Sequence, residues 1–212
     1  MLELLTEASI QTIIMVFVST LIAVVIGLPL GIKLVLSQKD GLEENLGLYG
    51  ILSSIINLLR SVPFIILMLL LFPLSRLILG TSIGTKAAVI PLSISASPFV
   101  ARLIEQNINS LEKCKIEAAI SSGASTWEVV RMQIKEAMPA IINSITTTTV
   151  NIIGYSAMAG SIGGGGLGDT AIRYGVYRGE TNTLWLAVIL LVIFVQIIQF
   201  IGTSLAKAID KK

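Results

Sequence analysis

Residues 10–32 read IQTIIMVFVSTLIAVVIGLPLGI, without a single charge, and that stretch decides what kind of protein this is. Crossing the hydrocarbon core of a bilayer takes about 20 predominantly apolar residues in a helix, which satisfies its backbone N–H and C=O groups internally. The stretch meets that requirement. Glu3 and Glu7 precede it where a secretory signal would carry Lys or Arg, and no small-residue cleavage site follows, so a retained first membrane helix is expected. Residues 184–206 are the second clear case, with only Gln196, Gln199, Thr203 and Ser204 as polar breaks.

The composition agrees. The 212 residues are 54% hydrophobic and 13% charged, against roughly 25% charged in ordinary soluble chains. So few charges do not cover a water-soluble globule, and a lipid bilayer is the expected solvent for part of the surface. A net charge of +2, with basic residues scattered along the chain, argues against nucleic acid as a partner. Cys114 stands alone, so there is no disulfide framework, and the absence of histidine removes the commonest general base and metal ligand.

The remaining spans are less regular. Residues 45–59 and 61–75 are uncharged stretches separated by Arg60, with Pro63 just beyond. Either one long helix kinks at Pro63, or an interfacial segment ends near Arg60 and a span begins there. Residues 87–101 carry Pro91 and Pro98 and are flanked by Lys86 and Arg102, which can snorkel to the two interfaces. A further span is placed at about residues 139–161, ahead of a glycine-rich loop. The expectation is an all-α integral membrane protein of about five transmembrane helices, forming one domain over residues 1–212.

Lys and Arg favour the cytoplasmic side. With the N-terminus outside, the inside set is Lys33, Lys39, Arg102, Lys113, Lys115, Arg131, Lys135, Lys207, Lys211 and Lys212, and the outside set is Arg76, Lys86, Arg173 and Arg178. The opposite orientation inverts the ratio, so the expected topology is N-outside, C-cytoplasmic. Residues 105–136 then form the large cytoplasmic segment between spans three and four, and Cys114 within it is expected to be reduced.

That segment contains KIEAAISSGASTWEVVR at 115–131. Glu117, Ala118 and Ala119 are helix formers, Gly123 is a helix end, and Ala124-Ser125-Thr126 offers an N-cap for a second helix near Trp127. A short helix, a glycine and another helix on a cytoplasmic face suit docking into a partner's groove, with Glu117 and Arg131 fixing register. The pattern resembles the EAA loop of ABC-importer permeases, whose coupling helix sits on an ATPase subunit. The resemblance assigns coupling to Glu117, Ala118, Ala119 and Gly123, and the second short helix adds Trp127 and Arg131 to the expected coupling set. The following QIKEAMP at 133–139 departs from the family's usual Ile-x-Leu-Pro, with Lys135 where Leu-Pro is expected, although Pro139 is kept.

The stretch GYSAMAGSIGGGGLGDTAIRYG at 154–175, with RSVPF at 60–64 and GTSIGT at 80–85, resembles the methionine ABC-importer permeases over nearly the whole chain. Methionine enters only through that resemblance. It implies a dimer with a second copy, two copies of an ABC ATPase subunit that bind ATP and Mg, and an extracytoplasmic methionine-binding protein. It also implies residence in a bacterial-type inner membrane, alternating access, and no cofactor or catalytic residue in this chain.

Ser144, Thr147, Thr148, Asn151, Tyr155 and Met158 recur at helical spacing on one face of the fourth span. Polar residues there face a bundle interior or a wet path. Two readings stand: the wall of a substrate path made by Ser144, Thr148, Asn151, Tyr155 and Met158, with Met158 as a flexible plug, or helix–helix hydrogen bonding. Arg60 has two readings, a functional arginine inside a span or a side chain at a helix mouth that snorkels to cytoplasmic headgroups, and the second is favoured. Gly27 and Gly31 form a GxxxG pair for close packing, with Pro29 between them. Gly163, Gly165 and Gly168 match a dinucleotide fingerprint but follow a span, so a flexible turn is expected, and residues 80–86 lack phosphate-loop spacing. A same-architecture permease for another small solute stays open. An ion-coupled secondary transporter is disfavoured because no Asp or Glu falls within a well-defined span.

Overall fold

A computed structural model describes residues 2–210, so Lys211 and Lys212 of the cytoplasmic charge count lie outside the described residues. The described residues form helices and connecting turns, with no strand among them. The order is α1 (Leu2–Ser37), α2 (Leu46–Ser61), α3 (Phe64–Leu79), α4 (Thr85–Asn109), α5 (Lys113–Ser121), α6 (Thr126–Glu136), α7 (Met138–Gly160), α8 (Gly166–Thr170), a π-helical turn (Ala171–Val176) and α9 (Thr181–Ile209).

Among the described residues α1, α4 and α9 are long and apolar enough to cross a membrane, and α2 with α3 would make a fourth span if that pair, bent by 108°, counts as one. The bend matches neither a straight helix nor a mild kink. Pro63 caps α3 and Val62 has extended backbone, so the chain leaves one helix and starts another. The alternative of an interfacial segment ending near Arg60 fits this better than one kinked helix. The expected span at 139–161 is α7. Its uncharged length is interrupted by Asn143, Asn151 and four consecutive threonines, which lower its apolar character. Each of those threonines, Thr146 to Thr149, donates its hydroxyl to the carbonyl four residues back. The polar groups are thereby satisfied within the helix.

The centre of the molecule is a seam between α1 and α4. Ser19, Ala23, Gly27 and Gly31 follow one another at four-residue spacing on α1 and are all buried. A Cβ added at Gly27 would lie 2.6 Å from the Val100 Cβ, and one at Gly31 would lie 2.6 Å from the Ala101 carbonyl oxygen. The GxxxG pair therefore packs α1 onto α4 within one chain, while Pro29 faces outward and does not obstruct it. Lipid tails are as apolar as Leu, so close packing and hydrogen bonds, rather than the hydrophobic effect, hold this seam. The two helices run parallel: the Ser19 hydroxyl donates to the Val89 carbonyl, and Gln38 and Asn109 exchange side-chain bonds at their C-terminal ends.

The prolines of α4 leave its helix unbroken. Pro91 frees the carbonyl of Ala87, and the Ser75 hydroxyl of α3 donates to it at 3.1 Å. A neighbouring helix thus re-satisfies what the proline orphaned. Against α4, α7 runs antiparallel, since Asn107 donates to Ser144 near one end while the Gly84 N–H donates to the Gly163 carbonyl near the other. The C-terminal ends of α1 and α4 and the N-terminal end of α7 therefore gather on one side with α5 and α6. At the opposite end, α8 wedges between α1 and α7. Its Gly166 and Leu167 N–H groups donate to the Gln11 and Thr12 side chains. Gly163 lies in a turn and Gly164 and Gly165 are non-helical, as expected from sequence, while Gly166, Leu167 and Gly168 begin α8 and are buried, so the turn runs into a packed helix start.

A second correction concerns α4, which extends to Asn109, well beyond residue 101. Arg102 does not snorkel. Its guanidinium donates to Glu105 at 2.6 Å, to Ser53 at 2.8 Å and to Asn57 at 2.9 Å, while the Tyr49 hydroxyl donates to the other Glu105 oxygen at 3.0 Å. Glu105 is 4% exposed. A buried carboxylate thus lies within α4, beyond the uncharged stretch at residues 87–101. It is fully paired, and the pairing fastens α2 across the C-terminal half of α4.

Candidate functional site

Two features merit the name. The first is an open cavity of about 480 Å³ at the α2–α3 break, lined on its other sides by α4 and α7. From the α7 face predicted to line a path, Thr148, Asn151 and Tyr155 reach it. Ser144 sits one turn away, tied to Asn107 of α4 by a 2.8 Å hydrogen bond. Met158 is half exposed and off the cavity lining. The two sequence readings of this face therefore divide along the helix, with packing at Ser144 and a cavity wall from Thr148 to Tyr155.

Sequence reasoning missed the other side of the cavity. Arg60, an exposed residue at the end of α2, lines it, and its guanidinium carbon lies 5.7 Å from the centroid of the Phe99 ring. Asn57, one turn earlier on α2, lines it too. Phe64, the first residue of α3, stacks on Tyr155 with ring centroids 4.5 Å apart and planes inclined by 11°. The helix break explains the convergence: by ending α2 at Ser61 and restarting at Phe64, the chain turns both helix ends toward α7. The Arg60-to-Phe64 stretch was visible in the sequence, but its partner Tyr155 lies far along the chain.

The second feature is the α5–α6 hairpin. No residue of α5 is buried. Glu117 and Ala118 are exposed, Ala119 is half buried, Gly123 and Arg131 are exposed, and Trp127 is 70% exposed. The sequence thus predicted correctly that these residues share one outward element. Gly123 has φ 80°, and its N–H donates to the Ile120 carbonyl while Ala124 donates to the Ala119 carbonyl. These are the two bonds of a Schellman helix end, which needs a left-handed residue. A Cβ at Gly123 would meet nothing within 4 Å, so only the backbone demands glycine there.

Ser125 then caps α6 in a reciprocal box with Glu128. The Ser125 hydroxyl, and after it the Ser125 N–H, donate to the Glu128 carboxylate and hold its pKa below the ordinary 4.5. A depressed carboxylate contributes stability above its unfolded pKa and loses it as pH falls through the folded one. Ser125→Ala should cost α6 about 1 kcal/mol. It should speed amide hydrogen exchange across residues 126–129 in the purified complex, and acidifying the wild type through the carboxylate range should do the same. Unchanged exchange in the variant would show that the cap does not hold this turn. Lys115 closes the hairpin onto Glu136, and that hydrogen bond raises the Lys115 pKa above 10.5.

The comparisons with known proteins match this geometry. Residues 27–212 match the family described as the binding-protein-dependent transport system inner membrane component. The chain is 46% identical over 211 residues, covering 99% of it and 94% of the relative, to the probable D-methionine transport system permease protein MetI of Vibrio cholerae. It is 39% identical over 180 residues, covering 84% and 81%, to the methionine import system permease protein MetP of Bacillus subtilis. A solved structure described as an inward-facing conformation of the MetNI methionine ABC transporter superposes with a TM-score of 0.98, at 39% identity, over 100% of this chain and 98% of that one. With its helical membrane architecture, its outward α5–α6 hairpin and a match over most of its length, the chain belongs to the family of binding-protein-dependent transport system inner membrane components.

Proposed function

We propose that this chain is the membrane-spanning permease subunit of an ATP-driven importer for methionine, working by alternating access in a bacterial-type inner membrane. The observation that carries the reading is the α5–α6 hairpin, in which α5 buries no residue, at the end of the molecule where the C-termini of α1 and α4 gather. An exposed helix followed by a 70% exposed tryptophan has no reason to project from a membrane protein unless something docks there. The likeness to methionine permeases and to the MetNI transporter supports an ATPase as that partner and methionine as the cargo.

In this reading the whole chain is one permease domain. It crosses the membrane five times, by α1, the α2–α3 pair, α4, α7 and α9, with the N-terminus outside and the hairpin in the cytoplasm. The uncharged length of α7 and the parallel run of α1 and α4 support this count. Lys113, Lys115, Arg131 and Lys135 on the hairpin side support the orientation. Two copies present two hairpins to two ATPase subunits, as closed two-fold symmetry requires. ATP and Mg bind to those partners, which carry out hydrolysis, and an extracytoplasmic binding protein delivers the substrate.

Glu117, Ala118, Ala119, Gly123, Trp127 and Arg131 make the docking face. Thr148, Asn151 and Tyr155 line the path, Ser144 holds α7 to α4 beneath it, and Met158 stands beyond it as a candidate gate. ATP-driven approach of the two ATPases draws the hairpins together and opens the path outward, and hydrolysis returns it inward.

The test is radiolabelled methionine uptake into proteoliposomes carrying permease, ATPase and binding protein, competed by other amino acids. ATP-dependent uptake displaced by unlabelled methionine is expected, and uptake displaced only by another solute would overturn the substrate. Gly123→Asp should cut uptake at least tenfold while leaving membrane insertion intact. It puts a side chain at a left-handed position that favours glycine and places a negative charge on the docking face. Normal uptake by this variant would remove the hairpin from the coupling role.

A further inference from the structure

The cavity at the helix break has an uneven distribution of hydrogen-bonding groups. Asn57 accepts from Arg102 through its Oδ1. That bond leaves its Nδ2 as the unspent end, so Asn57 offers donors near the cavity. Arg60, on the same helix and one turn on, adds a guanidinium that has no acceptor groups of its own. The α2 side therefore presents donors and one full positive charge.

On the opposite walls the Asn151 amide offers both donors and an acceptor, and two hydroxyls add acceptors. The Thr148 hydroxyl donates to the Ser144 carbonyl at 2.8 Å, and the Ser95 hydroxyl donates to the Leu92 carbonyl at 2.9 Å. Both hydroxyls have spent their only proton on their own helix. What they keep are lone pairs. The stacked Phe64 and Tyr155 rings line the cavity as well, and so does Phe99, which lies against the Arg60 guanidinium. No carboxylate lines the cavity, so a purely cationic solute would find no countercharge there.

We infer that this cavity is a binding station for a zwitterionic amino acid with an apolar side chain. Its carboxylate meets Arg60 and the Asn57 amide, its ammonium meets the lone pairs of Thr148 and Ser95, and its side chain lies against the Phe64, Tyr155 and Phe99 rings. The inference rests on the importer reading for the identity of the substrate, and it adds that the permease itself holds the cargo during transit. A thioether is well suited to such walls, because sulfur makes favourable contacts with aromatic rings. A neutral molecule of the same shape would leave the guanidinium unpaired. A lipid headgroup would satisfy the same guanidinium through its phosphate, so the test must separate the two anions.

The experiment is equilibrium binding of radiolabelled methionine to the permease–ATPase complex in nanodiscs, without the binding protein. Nanodiscs of phosphatidylcholine alone and with phosphatidylglycerol give the lipid arm. Saturable binding is expected in both lipids, with methioninol, which lacks the carboxylate, competing at least tenfold less well than unlabelled methionine. Arg60→Gln should weaken binding at least tenfold, while Arg60→Lys, which keeps the charge, should retain most of it; co-elution with the ATPase checks that each variant is assembled. No saturable binding by a wild-type complex that still transports methionine would overturn the station and leave the importer reading standing. Binding that Arg60→Gln does not change, or that phosphatidylglycerol abolishes, would also overturn it. Saturable, carboxylate-dependent binding of a different amino acid with no methionine uptake would overturn the methionine assignment and support the station.

Discussion

Arg102→Met should destabilise the membrane domain by about 3–5 kcal/mol, the usual consequence of removing one member of a buried ion pair. The size follows from what is left behind. Glu105 is 4% exposed, and without the guanidinium it keeps only the Tyr49 hydroxyl as a partner. Ser53 and Asn57 lose their shared donor at the same time. The methionine fills much of the arginine's volume, so the loss isolates the charge rather than the packing. Glu105→Gln should cost less, because the amide can still accept from Tyr49 and Arg102. Removing both charges, as Arg102→Met with Glu105→Leu, should recover much of the loss, since replacing a whole buried pair by apolar groups is often nearly neutral. Thermal unfolding of the detergent-solubilised complex, followed by the monodisperse fraction on size exclusion, measures all three. A single variant as stable as wild type would show that this cluster does not fasten α2 to α4.

The second large effect is expected at the α1–α4 seam. Gly31→Leu puts a Cβ 2.6 Å from the Ala101 carbonyl oxygen and 2.7 Å from the Ile104 Cβ. The first of these is backbone and cannot rotate aside, so the helices must separate. Overpacking of a close interface costs about 1–3 kcal/mol and sometimes more, and here the separation also breaks contacts on both sides of Gly31, at Gly27 and at the Gln38–Asn109 bonds. Gly50→Leu is the control, because a Cβ there meets nothing within 4 Å. In an exposed helical position it should be neutral or stabilising through helix propensity alone. Faster proteolysis and lower thermal stability for Gly31→Leu, but not for Gly50→Leu, are the expected outcomes. Equal behaviour of the two would mean that the small-residue stripe does not set the distance between the helices.

These two sites mark where reading the chain worked and where it stopped. The stripe was legible as a GxxxG pair, because four-residue spacing places small residues on one face of any helix. Its partner was not legible: nothing in residues 27–31 says whether the facing surface belongs to a second chain or to α4. The Arg102–Glu105 pair shows the opposite failure. Arg102 was read as a flanking charge because the apolar run stops at residue 101, yet α4 continues for eight more residues and buries the pair. An apolar run marks where lipid contact ends, and a helix whose polar groups meet other helices has no reason to end there.

The sequence by itself determined the membrane class, the long apolar helices α1 and α9, the helix–glycine–helix of α5 and α6 and the polar face of α7. Each of these depends on local quantities: twenty apolar residues in a row, a glycine where φ is positive, a hydroxyl three residues before a glutamate, side chains at three- and four-residue intervals. Only the tertiary structure decided that the α2–α3 break bends by 108°, that the glycine-rich run is buried against α1, and that Arg60 and Tyr155 share a cavity. Those depend on which helices touch. Contact between residues 60 and 155 is settled by packing among α2, α4 and α7, and no local pattern in any one of them carries that information.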